Sequence, residues 1–170
     1  MGVCHSPACI RGQEKDVSAF SREDLQWMGQ ALELARQAEL EGEVPVGAVV
    51  VCDNHVVGEG WNRNIGLHDP TAHAEIMAMR EAGKSLGNYR LPACTLYVSL
   101  EPCMMCAGAM IHARIARLVF AANDPKTGAA GGQFDLLMNG AHNHLLQVRG
   151  GVFAQESSDM LKQFFKDRRK

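Results

Sequence analysis

His73, Glu75, Cys103 and Cys106 are the residues of this sequence whose types and spacing could do chemistry together. Cys103 and Cys106 are three apart, so on a helix they share a face one turn apart. Pro102, just before them, favours a helix start, because its missing N–H costs nothing in a first turn. Unpaired backbone N–H groups and the dipole at such a start favour anions and lower a thiol pKa, which prepares both sulfurs as thiolate ligands. Two thiolates do not complete a metal site. His73 opens another expected helix and offers the third donor. One nitrogen and two sulfurs leave a tetrahedral zinc one position short, the pattern of a catalytic and not a structural zinc. Glu75 falls in the same first turn as His73 but off its direction, so it can handle a proton beside the open position without ligating the metal.

Each fragment alone is weak. Cys-x-x-Cys also marks redox dithiols, and a single histidine is more often a core residue. The combination is specific: His-x-Glu, about thirty residues, then Pro-Cys-x-x-Cys, each part at a helix start, is the pattern of zinc-dependent nucleobase deaminases.

The elements that must position these residues follow from periodicity. Ser21 reads as an N-cap, and Leu25, Met28, Leu32, Ala35 and Ala38 make one apolar stripe of a helix that stops near Glu41-Gly42. Val44–Cys52 reads as a buried strand, Asp53-Asn54 as a turn and His55–Trp61 as the returning strand of an antiparallel hairpin. Asn62–Pro70 reads as a loop and Thr71–Gly83 as a second helix. A strand over Thr95–Leu100, a helix over Cys103–Arg114, a strand over Arg117–Ala121 and a glycine-rich loop at Thr127–Gly132 come next. The chain ends with a strand at Leu145–Val148 and a helix at Glu156–Arg168, on which Met160, Leu161, Phe164 and Phe165 make an apolar face. Strands alternating with helices imply an α/β fold, a three-layer α/β/α sandwich around one mixed five-stranded sheet. Helices on one side of strands running the same way begin at the same sheet edge, so the second and third helices can face each other across a gap.

The 170 residues suit one domain. We expect a flexible leader over 1–17, in which Cys4, His5 and Cys9 are unsupported tail residues, and a zinc-dependent domain over 18–170. No apolar run is long enough to span a bilayer, and the N-terminus lacks a secretory pattern, so the expected compartment is the cytoplasm. Net charge is −2, which excludes a uniformly basic nucleic-acid binder. The tail is an exception, with Lys162, Lys166, Arg168, Arg169 and Lys170 gathered there, as suits a helix C-terminus or a local phosphate contact. Met104, Met105 and Met110 are expected in core or dimer packing, His112 as structural, and Cys52 and Cys94 as inert buried thiols.

The sequence resembles the bacterial tRNA adenosine deaminases over roughly residues 20–170. The resemblance rests on Glu43-Val44-Pro45-Val46-Gly47-Ala48, Gly58-Glu59-Gly60-Trp61-Asn62, Asp69-Pro70-Thr71-Ala72-His73-Ala74-Glu75-Ile76-Met77, Leu100–His112, Lys126–Gly131 and Phe164–Arg169. It implies a cytidine deaminase-like fold, one Zn2+ per subunit, a homodimer, and hydrolysis of the wobble adenosine of an arginine tRNA to inosine with release of ammonia. The partner would be the tRNA anticodon stem-loop. By the same resemblance Asn62 would hydrogen-bond the flipped base, Val44 would wall its pocket, and the backbone of Ala74 would help orient the ring. Asp124, Phe165, Arg168 and Arg169 would meet the RNA. The zinc chemistry serves guanine or cytosine deaminases equally, so a free nucleobase or nucleotide deaminase is the alternative within enzymes. A zinc-stabilised binding module is the alternative outside them, although such a module needs no spare carboxylate.

Overall fold

The computed structural model describes residues 20–138 and 142–169. The expected leader, with Cys4, His5 and Cys9, and the terminal Lys170 lie outside the described residues. The elements are α1 (Arg22–Leu40), β1 (Gly47–Cys52), β2 (His55–Trp61), α2 (Asn64–Leu67), α3 (Ala74–Leu86), β3 (Thr95–Leu100), α4 (Met104–Ala113), β4 (Arg117–Ala122), β5 (Gln147–Gly150) and α5 (Ala154–Arg168).

The five strands form one mixed sheet in the order β2-β1-β3-β4-β5. β1 runs antiparallel to both β2 and β3, while β3, β4 and β5 are parallel. Alternation along the strands divides the core between the two faces. Ala48, Val50, Leu96, Val98, Leu118 and Phe120 pack with α3 and α4, and Val49, Val51, Tyr97, Val119 and Ala121 pack with α1. An Arg36–Glu156 ion pair ties α5 to α1. The expected three layers and five strands are therefore present.

α3 begins and ends three residues later than expected and α5 starts two residues earlier; three further differences from the sequence reading have a local reason. β1 begins at Gly47 because Pro45 lacks an N–H and the Val46 amide folds back onto the Val44 carbonyl at 2.8 Å. The expected loop after Trp61 contains the single turn α2, whose first amides are held by the buried Glu43 carboxylate through Ile65 N (3.1 Å) and Gly66 N (2.7 Å). β5 lies two residues later than expected, in register with β4 from Arg117↔Gln147 onward. Met104 and Met105 are exposed, as is His112, so of the three methionines Met110 alone belongs to the core.

Two features set the helices rigidly on the sheet. A Cβ at Gly58 would lie 2.3 Å from the Ala78 carbonyl, and one at Gly60 would lie 2.4 Å from that of Ala74. The backbone of α3 thus rests directly on β2 with no side chain between. On the other face, Asp24 is 1% exposed and accepts a two-pronged hydrogen bond from Arg117 (2.7 and 2.8 Å) and a third from the Tyr97 hydroxyl (3.1 Å). Its amide is capped by Ser21 Oγ at 3.1 Å. These bonds lock the start of α1 to β3 and β4.

Burial alone would raise the Asp24 carboxyl, but the hydrogen bonds and charge of Arg117, helped by Tyr97, outweigh it and hold it below the usual carboxylate value. A depressed folded-state value stabilises the protein above the unfolded pKa, near 3.9, and that contribution is lost as pH falls through the folded value. Asp24→Asn is expected to cost about 3 kcal/mol at pH 7, because it strips the charge from a buried pair. The Tm gap between variant and parent should close on acidification below about pH 4, as followed by thermal unfolding; a gap independent of pH would refute the assignment.

Candidate active site

The sequence makes His73 the residue just outside α3 and Cys103 the residue just outside α4, both with extended backbone (φ −74°, ψ 153° and φ −75°, ψ 173°). Both helices therefore begin immediately after a donor. Because β2 and β3 run in the same direction on either side of β1, α3 and α4 start at the same sheet edge. His73 Nδ1 lies 3.7 Å from Cys103 Sγ and 3.6 Å from Cys106 Sγ. A zinc with ordinary bonds of about 2.0 Å to nitrogen and 2.3 Å to sulfur, at tetrahedral angles, requires those atoms about 3.6 Å apart. The donor set fits zinc in both chemistry and spacing. Among the described residues no fourth His, Cys, Asp or Glu joins this group, whose ligand atoms lie within 4.8 Å of one another.

The electrostatics are those of a site prepared for a cation. Hydrogen bonds from Cys106 and from His73 overcome burial and hold the Cys103 thiol down to about 4. The Cys106 thiol is pushed up, first by its hydrogen bond to Cys103 and then by burial, because two adjacent thiolates repel. Ionising both sulfurs requires a positive charge between them. His73 is raised by its hydrogen bond to Cys103, against the effect of burial. Glu75 is 3% exposed, and burial pushes its carboxyl up to about 7 against its backbone hydrogen bond and the pull of His73. It touches the Cys106 thiol but is not one of the ligand group.

His73, Glu75 and Cys103 form the foot of an open cleft of about 870 Å³, and Cys106 is fully buried. Val44 and Asn62 stand on one wall, and residues 123–127 on the other. Phe165, Lys162 and Lys166 of α5, with Arg169 just after it, form the rim. Asn62 is buried and bridges the wall to the floor: its Nδ2 donates to the Val44 carbonyl at 3.2 Å, and its Oδ1 accepts from the Ala74 amide at 2.9 Å. The Asn62 side chain thus engages the Ala74 N–H and caps the start of α3. Asp124 accepts from the amides of Lys126 (2.9 Å) and Thr127 (3.2 Å) and from the Thr127 hydroxyl (2.6 Å). Burial pushes the Asp124 carboxyl up, but these bonds hold it below its ordinary value. Phe165 is 44% exposed, with its edge against the buried Phe164 (centroids 5.4 Å apart). Arg168 turns away from the cleft, lying over the Phe164 ring at 4.4 Å and donating to the Gly42 carbonyl.

Sequence reasoning missed Glu101. It is 2% exposed, and its carboxylate accepts from Asp124 N (2.9 Å), Ala130 N (2.9 Å) and Gly132 N (2.8 Å). This charge pins the glycine-rich loop against the turn carrying Cys103, where the Ala129 amide also donates to the Pro102 carbonyl at 2.8 Å. The trace in the sequence is the pair Gly128 and Gly132: a Cβ at either would lie within 2.5 Å of the Glu101 carboxylate. Glu43, which holds α2 in the same way, was missed as well.

Residues 21–122 match the cytidine and deoxycytidylate deaminase zinc-binding region. The chain is 55% identical over 147 residues to a tRNA-specific adenosine deaminase of Haemophilus influenzae, covering 86% of this chain and 85% of that one. It is 42% identical over 148 residues to a tRNA-specific adenosine deaminase of Bacillus subtilis, covering 87% and 92%. Among solved structures, one described in biochemical and structural studies of A-to-I editing by tRNA:A34 deaminases at the wobble position superposes with a TM-score of 0.77 at 44% identity, covering 80% of this chain and 99% of that one.

Replacing Cys103 by Ser is expected to empty the site: zinc per chain, measured by elemental analysis after dialysis, should fall from one to well below one, and full occupancy would contradict the donor set. Glu101→Gln places an amide NH2 against backbone donors and removes the charge. Hydrogen exchange at 124–132 should quicken by about tenfold or more while zinc stays bound; unchanged protection would show that the carboxylate does not pin the loop.

Proposed function

This chain belongs to the zinc-binding cytidine and deoxycytidylate deaminase family and, within it, to the tRNA-specific adenosine deaminases; from that premise we propose that it hydrolyses the wobble adenosine of tRNA to inosine, with release of ammonia. The substrate is the anticodon stem-loop of an arginine tRNA. Zinc, one per subunit, is held by His73, Cys103 and Cys106 and when bound supplies the Lewis acidity that makes water a nucleophile near neutral pH.

The protein's own residues do the rest. The adenine leaves its stack, which is inexpensive for a loop nucleotide, and enters the cleft. Asn62 hydrogen-bonds the base, fixed for that task by Val44 and Ala74; Val44 walls the pocket, and the Ala74 backbone orients the ring through Asn62. Glu75, buried at the foot, accepts the proton of the attacking water on its carboxylate and delivers it to adenine N1 as oxygen adds to C6. It then assists protonation of the departing amine, and C6 keeps the oxygen as the carbonyl of inosine. Asp124 shapes the wall beside the RNA backbone, Phe165 stacks, and Arg169 pairs with phosphates, while Arg168, turned onto Phe164 and Gly42, meets the RNA outside the cleft. The chain works in the cytoplasm as a homodimer, with residues 18–170 as the deaminase domain behind a leader over 1–17. Among the described residues no helix is long and apolar enough to cross a membrane.

The observation that carries this reading over a free-base deaminase is the cleft rim. An exposed aromatic ring lies among Lys162, Lys166 and Arg169. A free purine carries no phosphate for these cations to pair with, whereas a polynucleotide engages ring and charges together. A second reading has some support, since a guanine deaminase from Nitrosomonas europaea superposes with a TM-score of 0.72 at 28% identity. Incubation with an arginine tRNA stem-loop, with free guanine and with cytidine separates the two. Inosine at the wobble position is expected, without ammonia from the free base or nucleoside; guanine turnover in place of tRNA editing would overturn the reading. Glu75→Ala should keep its zinc and lose about 10³-fold in kcat, measured by inosine formation alongside metal content.

A further inference from the structure

Cys52 and Cys94 have no part in the cleft, and sequence reading left them as inert thiols. The strand register brings them together. β1 and β3 pair antiparallel through Val50↔Leu96 and Val51↔Thr95, so the next step sets Cys52 opposite Cys94. The Cys94 amide donates to Leu91, and its carbonyl accepts from Ala116, both directed away from β1. Cys52 in turn pairs with His55 of β2. The two cysteines therefore face each other at a non-hydrogen-bonded position, where Cα atoms are about 4.5 Å apart and side chains closest. That spacing falls within the range a disulfide accepts, about 4.4–6.8 Å. Both thiols are free, Cys52 half-buried and Cys94 fully buried.

We propose that Cys52 and Cys94 form a reversible redox site, closed by a two-electron oxidant of the peroxide class into a cross-strand disulfide that staples β1 to β3. Cys52 is the thiol that meets the oxidant, since it is the more exposed of the two. Its sulfur attacks one peroxide oxygen, the O–O bond breaks, and the departing hydroxide takes the thiol proton as water. This leaves a sulfenic acid on Cys52. The Cys94 sulfur then attacks the Cys52 sulfur, the S–O bond breaks, and the second water departs with the Cys94 proton. Two electrons have left the sulfurs, and peroxide has become two waters. Cys94 takes the second role because it is fully buried, away from the oxidant, and faces Cys52; burial first, then the neighbouring Cys52 thiol, raises its own thiol, so it is the less reactive of the two toward peroxide.

The staple sits far from the cleft. Val46 lines the cleft just before β1 begins, and Cys52 is six residues further on, about 20 Å along an extended strand. Oxidation of this pair is therefore expected to change stability and leave the metal in place.

The test uses the full zinc-loaded chain treated with hydrogen peroxide, quenched with catalase, unfolded, alkylated with iodoacetamide and digested without reductant. Mass spectrometry with fragmentation should find peptides joined through Cys52 and Cys94, lighter by two hydrogens and released by dithiothreitol, with Cys103 and Cys106 alkylated. In Cys94→Ser, Cys52 should stop at the sulfenic acid and be trapped by dimedone. Alkylation of both Cys52 and Cys94 after peroxide would overturn the proposal. So would Cys52 joined to any other cysteine, or Cys52 carried on to sulfinic acid while Cys94 remains a thiol.

Discussion

A zinc ion bound by three protein atoms tolerates little error in their placement, and here those atoms come from two segments thirty residues apart. The fold meets that demand by letting each segment be the first turn of a helix. β2 and β3 run in the same direction with β1 between them, so the helices that follow them start at one sheet edge. Gly58 and Gly60 remove the side chains that would lift α3 off β2. Asn62 then ties the first amide of α3 to the Val44 carbonyl. Sheet direction, backbone contact and one bridging amide together fix the His73 end relative to the cysteine turn. Helix starts also suit thiolates electrostatically, since their free N–H groups favour negative charge.

Two buried carboxylates organise what lies around this centre, and a third anchors the opposite end of the sheet. Glu43 holds α2, Glu101 holds the loop from Asp124 to Gly132, and Asp24 holds the start of α1 against β3 and β4. Hydrogen bonds to a charged acceptor are stronger than neutral ones, and a buried charge that lost its donors would be costly. An irregular loop has no repeating ladder to fix its shape, so a single carboxylate with several amide donors does that work. Glu75 differs from these three. It is as buried as they are, but it faces the cleft foot and not a set of amide or side-chain donors, as the proposed proton transfer requires.

Much of this could be read from the sequence, and the reasons are physical. The helix stripes, the hairpin and the strand alternation carry periodic signals, and all five strands and the four long helices were placed from them. The three metal donors were readable because their chemistry is rare and their spacing ties each to a helix start. Glu101 and Glu43 were not readable, because an acid that accepts backbone N–H groups from a distant loop leaves no periodic mark; only the paired glycines at 128 and 132 hinted at it. The facing of Cys52 and Cys94 depends on strand register across a long crossover, which one sequence does not specify. Phe165 was ambiguous at helical core spacing. The structure places Phe164 inside and Phe165 at the cleft rim.

The account depends on a cation that His73, Cys103 and Cys106 would hold through one nitrogen and two sulfurs, beside Glu75 at the cleft foot. X-ray absorption at the zinc edge on the purified protein reads that arrangement without reference to substrate. Two sulfur scatterers near 2.3 Å and two nitrogen or oxygen scatterers near 2.0 Å are expected, and Glu75→Ala should leave the sulfur shell unchanged. A shell of three or four sulfurs, or zinc that binds with no sulfur at all, would contradict the site on which the function rests.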